Sequence, residues 1–223
     1  MKRMIMIAGA AAALMAGGWT QPEEMPAGMP DMDAMLAMMD AYSKPDDAHH
    51  KYLEKMAGEW DMTAKFSMTP GSPPEISKGT TKGTLVLGGR HLMNKVQMDM
   101  KMMGKTMDFS GIGFFGYDKG TNQFVSTWMD SMGTGQMRQV GVLEDGNIVV
   151  SGETKHPMMG EYTVKNVIKF VEGGYNMEFW EKGQMTGGEL MNTGVIEYRR
   201  AEAEHGEHGE HVEQRDHDGH GHD

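Results

Sequence analysis

Residues 60–68, WDMTAKFSM, alternate without a break, with Trp60, Met62, Ala64, Phe66 and Met68 on one side and Asp61, Thr63, Lys65 and Ser67 on the other. Side chains of an extended strand point to opposite faces in turn, so this pattern describes a strand with one buried face and one wet face. Similar segments follow in GTTKGTLVLGG, HLMNKVQMDMKM, TMDFSGIGFFGYD, NQFVSTWMD, GQMRQVGVLE, NIVVSGET, GEYTVKNVIKFV, GYNMEFWEK and MNTGVIEYRR. The connectors DKGTN, EDG and EGG supply the Gly, Asn and Asp that hairpin turns need. About ten strands in succession, with no helix between them, make an antiparallel meander, and one so long leaves two raw edges unless it closes. The expected fold is all-β, an antiparallel up-and-down barrel of about ten strands with a short N-terminal helix.

That helix lies in HHKYLEKMAGEW, residues 49–60. Asp47 is placed to cap it, Leu53 and Met56 share one side, and Gly58 stands where a left-handed cap would end it. The helix is expected to plug one end of the barrel. Upstream, Asp31 or Asp33 would cap a second, amphipathic helix carrying Met32, Met35, Leu36 and Met39, after the proline-rich linker TQPEEMPAGMP.

The first residues, MKRMIMIAGAAAALMAGG, have a basic start, a short apolar run and small residues at Ala16 and Gly18, the pattern of a secretory signal peptide cleaved after Gly18. The apolar run is shorter than the roughly 20 residues that span a bilayer, so no stable membrane insertion is expected after cleavage. The address expected is periplasmic or secreted. No cysteine is present, so the domain is held by packing alone. Four parts result: signal peptide 1–18, acidic linker and helix 19–46, barrel domain 47–200, and a disordered His/Asp/Glu-rich tail 201–223.

Charge separates the parts. Residues 51–200 carry seventeen acidic and seventeen basic side chains, whereas the flanks account for the net charge of −11. Displacing counterions from a phosphate backbone takes clustered Lys and Arg, which a neutral domain with acidic flanks lacks, so nucleic acid is excluded as a partner.

GEW, Gly58 to Trp60, at the start of the first strand resembles the GxW signature of lipocalins and related calycin barrels. In such barrels the tryptophan closes the base and an arginine of the last strand stacks on it. Arg199 and Arg200 are the candidates, and parity with Ile196 and Tyr198 favours Arg200. The set HHKYLEKMAGEW, LGGRHLM, GIGFFGYDKGTNQF and WMDSMG is similar to the DUF1579 family over about residues 49–200. This resemblance implies the barrel fold and carries no reaction. In haem-binding relatives of this barrel type a histidine beside the cavity ligates iron, which makes His91 the residue to examine. No CxxCH exists for covalent attachment, and haem is not expected.

Other motifs are weaker. GIGFFG has the letters of a dinucleotide fingerprint, but a turn and a strand follow where a phosphate-binding helix is needed. WMDS lacks a nucleophile elbow, and no nucleophile and base pair is visible, so catalysis has no positive support. His205, His208, His211, His217, His220 and His222 stand among acids in the tail, a ligand set suited to Cu, Ni or Zn. The expected function is noncatalytic: a small apolar or amphipathic molecule held in the barrel, with Arg90, His91, Met98, Met100, Tyr117, Trp128 and Trp180 as cavity candidates. The alternative is divalent metal binding by the tail. The residues leave the oligomeric state open.

Overall fold

The computed structural model describes residues 30–67, 69, 71–157 and 160–201. They fall into two units that divide between Lys44 and Pro45. In the first, α1 (Met32–Ser43) is capped by Asp31, whose carboxylate accepts from the Ala34 N–H at 2.7 Å.

The second unit begins with α2 (Asp47–Met56). Its N-cap is Asp46 rather than Asp47: the Asp46 side chain accepts from the N–H groups of Ala48 at 2.6 Å and His49 at 3.2 Å. Periodicity cannot distinguish two adjacent aspartates, and Asp47 instead puts its charge in the first turn, where the helix dipole favours it. Ten strands follow: β1 (Gly58–Phe66), β2 (Glu75–Val86), β3 (His91–Met102), β4 (Lys105–Asp118), β5 (Gln123–Asp130), β6 (Met137–Glu144), β7 (Asn147–His156), β8 (Gly160–Val171), β9 (Gly174–Lys182) and β10 (Met191–Arg200). Each pairs antiparallel with its neighbours in sequence, and β1 pairs with β10, so the sheet is a closed up-and-down barrel. The one register shift between β9 and β10 is a bulge between Asn192 and Gly194.

Hairpin chemistry sets the register. Met103–Gly104 and Asp145–Gly146 each make a two-residue loop with both residues at positive φ, the turn whose twist matches that of the flanking strands. Alternation then decides what is inside. Trp60, Met62, Ala64, Leu92, Val96, Met98, Phe115, Phe124, Ile148, Val150, Ile168, Tyr175, Ile196 and Tyr198 form one buried cluster.

At the end of the barrel under α2 the interior is aromatic and full. Leu53 and Met56 of α2 are buried, Trp60 meets Tyr175 edge-on at 5.1 Å, and Tyr175 stacks on Tyr198 at 4.2 Å. The Trp60 indole N–H donates to the Met56 carbonyl at 2.9 Å, which joins helix to strand. Arg200 lies over the Trp60 ring at 3.8 Å and donates to the Ala57 carbonyl at 2.9 Å, while Arg199 turns outward to Asn176.

Two glycine features follow from close approach. Gly58 sits at φ +116, and a Cβ there would run into the Arg200 guanidinium. Gly111 and Gly113 of GIGFFG face Trp128 across the β4–β5 pair, so the indole lies where side chains at those positions would stand.

Gly58→Ala is expected to cost about 2 kcal/mol or more, combining strain at positive φ with displacement of the arginine. Arg200→Ala is expected to cost about 1–2 kcal/mol for the lost cation–π contact and hydrogen bond. Because both act on one contact, the double variant should lose less than the sum in urea unfolding, and additive losses would refute the shared closure.

His50 gives a pH signature. Its Nδ1 accepts from the Asp46 N–H at 2.8 Å, which requires an unprotonated nitrogen, and burial lowers its pKa below the ordinary 6.5. The unfolded chain therefore takes up this proton first as pH falls, so stability is complete above about pH 6.5 and declines below it. His50→Gln keeps an acceptor without a titration, and its urea midpoint should fall less between about pH 7.5 and pH 5.5 than that of the parent.

Candidate functional site

Opposite α2 the barrel opens. Among the described residues the rim comprises residues 67, 69 and 71–74, the Met103–Gly104 turn, the loop from Asp130 to Met137, the end of β7 at His156, and the β9–β10 loop with its short 3-10 helix Gln184–Thr186. Inside it lies a cavity of about 340 Å³, within the size range of small-molecule sites. Phe66 of β1, Met98, Met100 and Met102 of β3, and Met185 and Met191 beside the β9–β10 loop supply its apolar surface. The three β3 methionines line up because residues two apart share a face, and Met100 stands opposite Met107 of β4.

Polar groups converge on the same space. Glu75 pairs with Phe66 and shares its inward face. One of its carboxylate oxygens accepts from the Gly104 N–H at 3.0 Å; the other is buried and accepts no hydrogen bond from the described residues. Glu181 of β9 also faces inward, and burial pushes its carboxyl pKa up. Tyr162 nearby is raised by burial, with the charges of Glu181 and Asp130 adding to the effect. Deeper in the barrel Asn166 donates to Gln139 at 3.1 Å, and Gln139 donates to the Val164 carbonyl at 3.2 Å.

The predicted cavity residues separate. Met98 and Met100 border the open cavity. Trp128 lies inside, stacked with Phe109 at 6.4 Å and donating to Asp130 at 2.8 Å. Tyr117 is at the other end, stacked on His49 of α2 at 3.8 Å, and so belongs to the plug. Three candidates are not cavity wall. Arg90 donates to the Leu87 carbonyl at 2.7 Å within the β2–β3 turn. His91 is exposed and packs across Gly116, because Leu92 takes the inward parity. Trp180 is outward, since Tyr175, Met177 and Phe179 hold the inner face of β9; its indole N–H donates to Glu178 at 3.2 Å.

Asp130 and Ser131 bond locally: Asp130 accepts from the Met132 N–H at 2.9 Å and Ser131 Oγ from the Ser110 N–H at 3.1 Å. Among the described residues no group of three or more His, Cys, Asp or Glu converges on a metal position. The tail histidines 205, 208, 211, 217, 220 and 222 and the leader 1–18 lie outside the described residues.

A second concavity, about 750 Å³, runs along the outer face of β1 to β5 past Glu59, Lys82, Lys95, Ile112 and Met129. The Glu59–Lys82 pair at 2.7 Å and the outward parity of these residues mark it as a solvated face. The open end is the better candidate, because there apolar walls and inward carboxylates face one enclosed space.

Glu75 and Glu181 were missed by sequence reasoning, as were Gln139 and Asn166. Two of them carried a signal: Glu181 and Asn166 are polar yet in phase with apolar residues of their strands, whereas Glu75 shares its face with Leu85 but not with Ile76 or Val86, and Gln139 shares its face with Met137 and Leu143 but not with Val140 or Val142.

No curated protein matches the chain. Among solved structures, Rv2717c from M. tuberculosis is similar at 14% identity and a TM-score of 0.47, over 70% of this chain and 100% of that one. The S-type phycobiliprotein lyase CPES from Guillardia theta is similar at 10% identity and 0.47, over 74% of this chain and 97% of its own. The family model described as "Protein of unknown function (DUF1579)" matches residues 44–200, the whole barrel with its plug, and the chain belongs to that family.

Proposed function

We propose that the protein is an exported, noncatalytic carrier that holds a small apolar or amphipathic molecule in the open end of its barrel. The observation that carries the reading is the 340 Å³ methionine-lined cavity at one end of a barrel whose other end is closed by a helix. Unbranched thioether side chains suit such a role, because they adjust to ligands of different outline at low cost. Met103, Met132, Met185 and Leu190 stand exposed around the same opening, an apolar rim of the kind that marks a place of approach for apolar molecules. Export rests on the basic, apolar and small-residue order of residues 1–18.

Nile red fluorescence tests the site. Met100→Trp combined with Met191→Trp places two indoles in the opening and should weaken Nile red binding by about tenfold or more. Met129→Trp on the outer groove should leave it unchanged. The reverse pattern would transfer the site to the outer face of β1 to β5.

Export is tested by intact-mass analysis of the cell-envelope and medium fractions of a bacterial host producing the full chain. A mature protein beginning at Trp19 is expected, and uncut chain confined to the cytoplasm would refute it.

A further inference from the structure

We propose that the open end of the barrel docks on an anionic lipid surface, with Met103, Met132, Met185 and Leu190 entering the apolar layer. The inference goes beyond the carrier reading and stands on the rim alone. Alternate hairpins of an up-and-down barrel lie at the same end, so these four side chains come from three connections and share one rim. All four are exposed, and Met103, at 75%, is the most exposed large apolar residue described. Among the described residues the five connections at this end hold one charged side chain, Glu189. The four turns at the α2 end hold one each, Arg90, Lys119, Asp145 and Glu172, and Leu87 is the single large apolar residue exposed in them. Apolar side chains gathered at loop tips in place of charges mark a surface of interaction.

The cations set back from the tips identify the occupant. Lys101 and Lys105 flank the Met103–Gly104 turn, Arg138 follows the β5–β6 loop, and Lys182 precedes the β9–β10 loop. All four are exposed, and none makes an ion pair among the described residues. The carboxylates within two residues of these connections are engaged or turned inward: Glu161 meets Lys155 at 3.5 Å, Asp130 accepts from Trp128 and Met132, and Glu75 and Glu181 face the interior. Residues 51–200 carry equal numbers of acids and bases, so the positive excess at this end comes from placement. The order matches a bilayer by depth. Thioethers and leucine reach past the headgroups, while lysine and arginine stems lie along the interface and bring their charges to the phosphates. A second copy of the chain would instead bring the same four cations to the contact, where like charges repel. Docked in this way, the cavity mouth faces the layer that dissolves apolar molecules, and cargo passes between bilayer and barrel without crossing water.

Vesicle co-sedimentation of the chain from Trp19, without the basic apolar leader that would itself bind lipid, tests the docking. Vesicles of phosphatidylcholine with about 30% phosphatidylglycerol are expected to bind it about tenfold more tightly than phosphatidylcholine alone at about 0.1 M salt. Met103→Ser combined with Met132→Ser should weaken binding to the anionic vesicles by about tenfold. Lys101→Gln, Lys105→Gln and Lys182→Gln together should remove the difference between the two vesicles. Leu87→Ser, at the α2 end, should change neither. All these positions are exposed, so each variant should keep the urea midpoint of the parent. Equal binding to both vesicles, or a loss from Leu87→Ser as large as that from the methionine pair, would overturn the inference. So would a chain that binds neither vesicle but forms a dimer that the methionine pair dissolves, because the rim would then be an interface between copies. Nile red binding without vesicles is read on the same chain, and its failure removes the carrier reading while leaving the docking in place.

Discussion

The stacking of Arg200 on Trp60 joins the last residue of the final strand to the first turn of the first, and the rest of the barrel depends on that join. An antiparallel meander of ten strands has a definite inside only when its ends pair, because an open sheet could expose either edge and slip by a residue. The guanidinium does three things from one position. It covers the indole, it donates to the carbonyl that ends α2, and it fills the space that Gly58 leaves vacant. Helix, first strand and last strand are thereby fixed to one another, and every inward residue between them inherits its orientation from that register.

The two ends of the barrel use different chemistry for different purposes. Under α2, tyrosines, tryptophan and phenylalanine pack in edge-on and stacked pairs, and Tyr175 and Tyr198 are so desolvated that their phenols are held protonated. Rings fill space with few rotatable bonds, which suits a plug. At the opening, methionines outnumber rings, and one carboxylate oxygen of Glu75 is buried without a donor among the described residues.

Most of the barrel was legible in the residues because period-two alternation is a direct record of which face is buried. The strand His91–Met102, the parity of Arg200 and the dismissal of GIGFFG as a nucleotide loop all follow from it. What was misjudged was judged by residue type instead of phase. Trp180 and His91 drew attention as an aromatic and an imidazole, although Phe179 and Leu92 beside them already claimed the inner face. Glu75 and Glu181 passed unnoticed for the opposite reason: a carboxylate in phase with buried neighbours is read as a surface charge unless the strand ends at a cavity. Whether it does depends on how far the hairpins extend and what covers them, which no local pattern records. Asp46 and Asp47 differ by one position, and only the helix's first turn distinguishes cap from helix.

The separation of plug and opening along the barrel axis divides the selective pressures on this chain. Substitutions among Met98, Met100, Met102, Met185 and Met191 act at the open end, away from the aromatic plug and the Arg200 closure. Swaps among methionine, leucine and isoleucine there cost little where volume is kept. The wall of the open cavity can therefore change in outline while the closure that sets the register stays as it is, so a shared fold does not by itself imply a shared cavity shape.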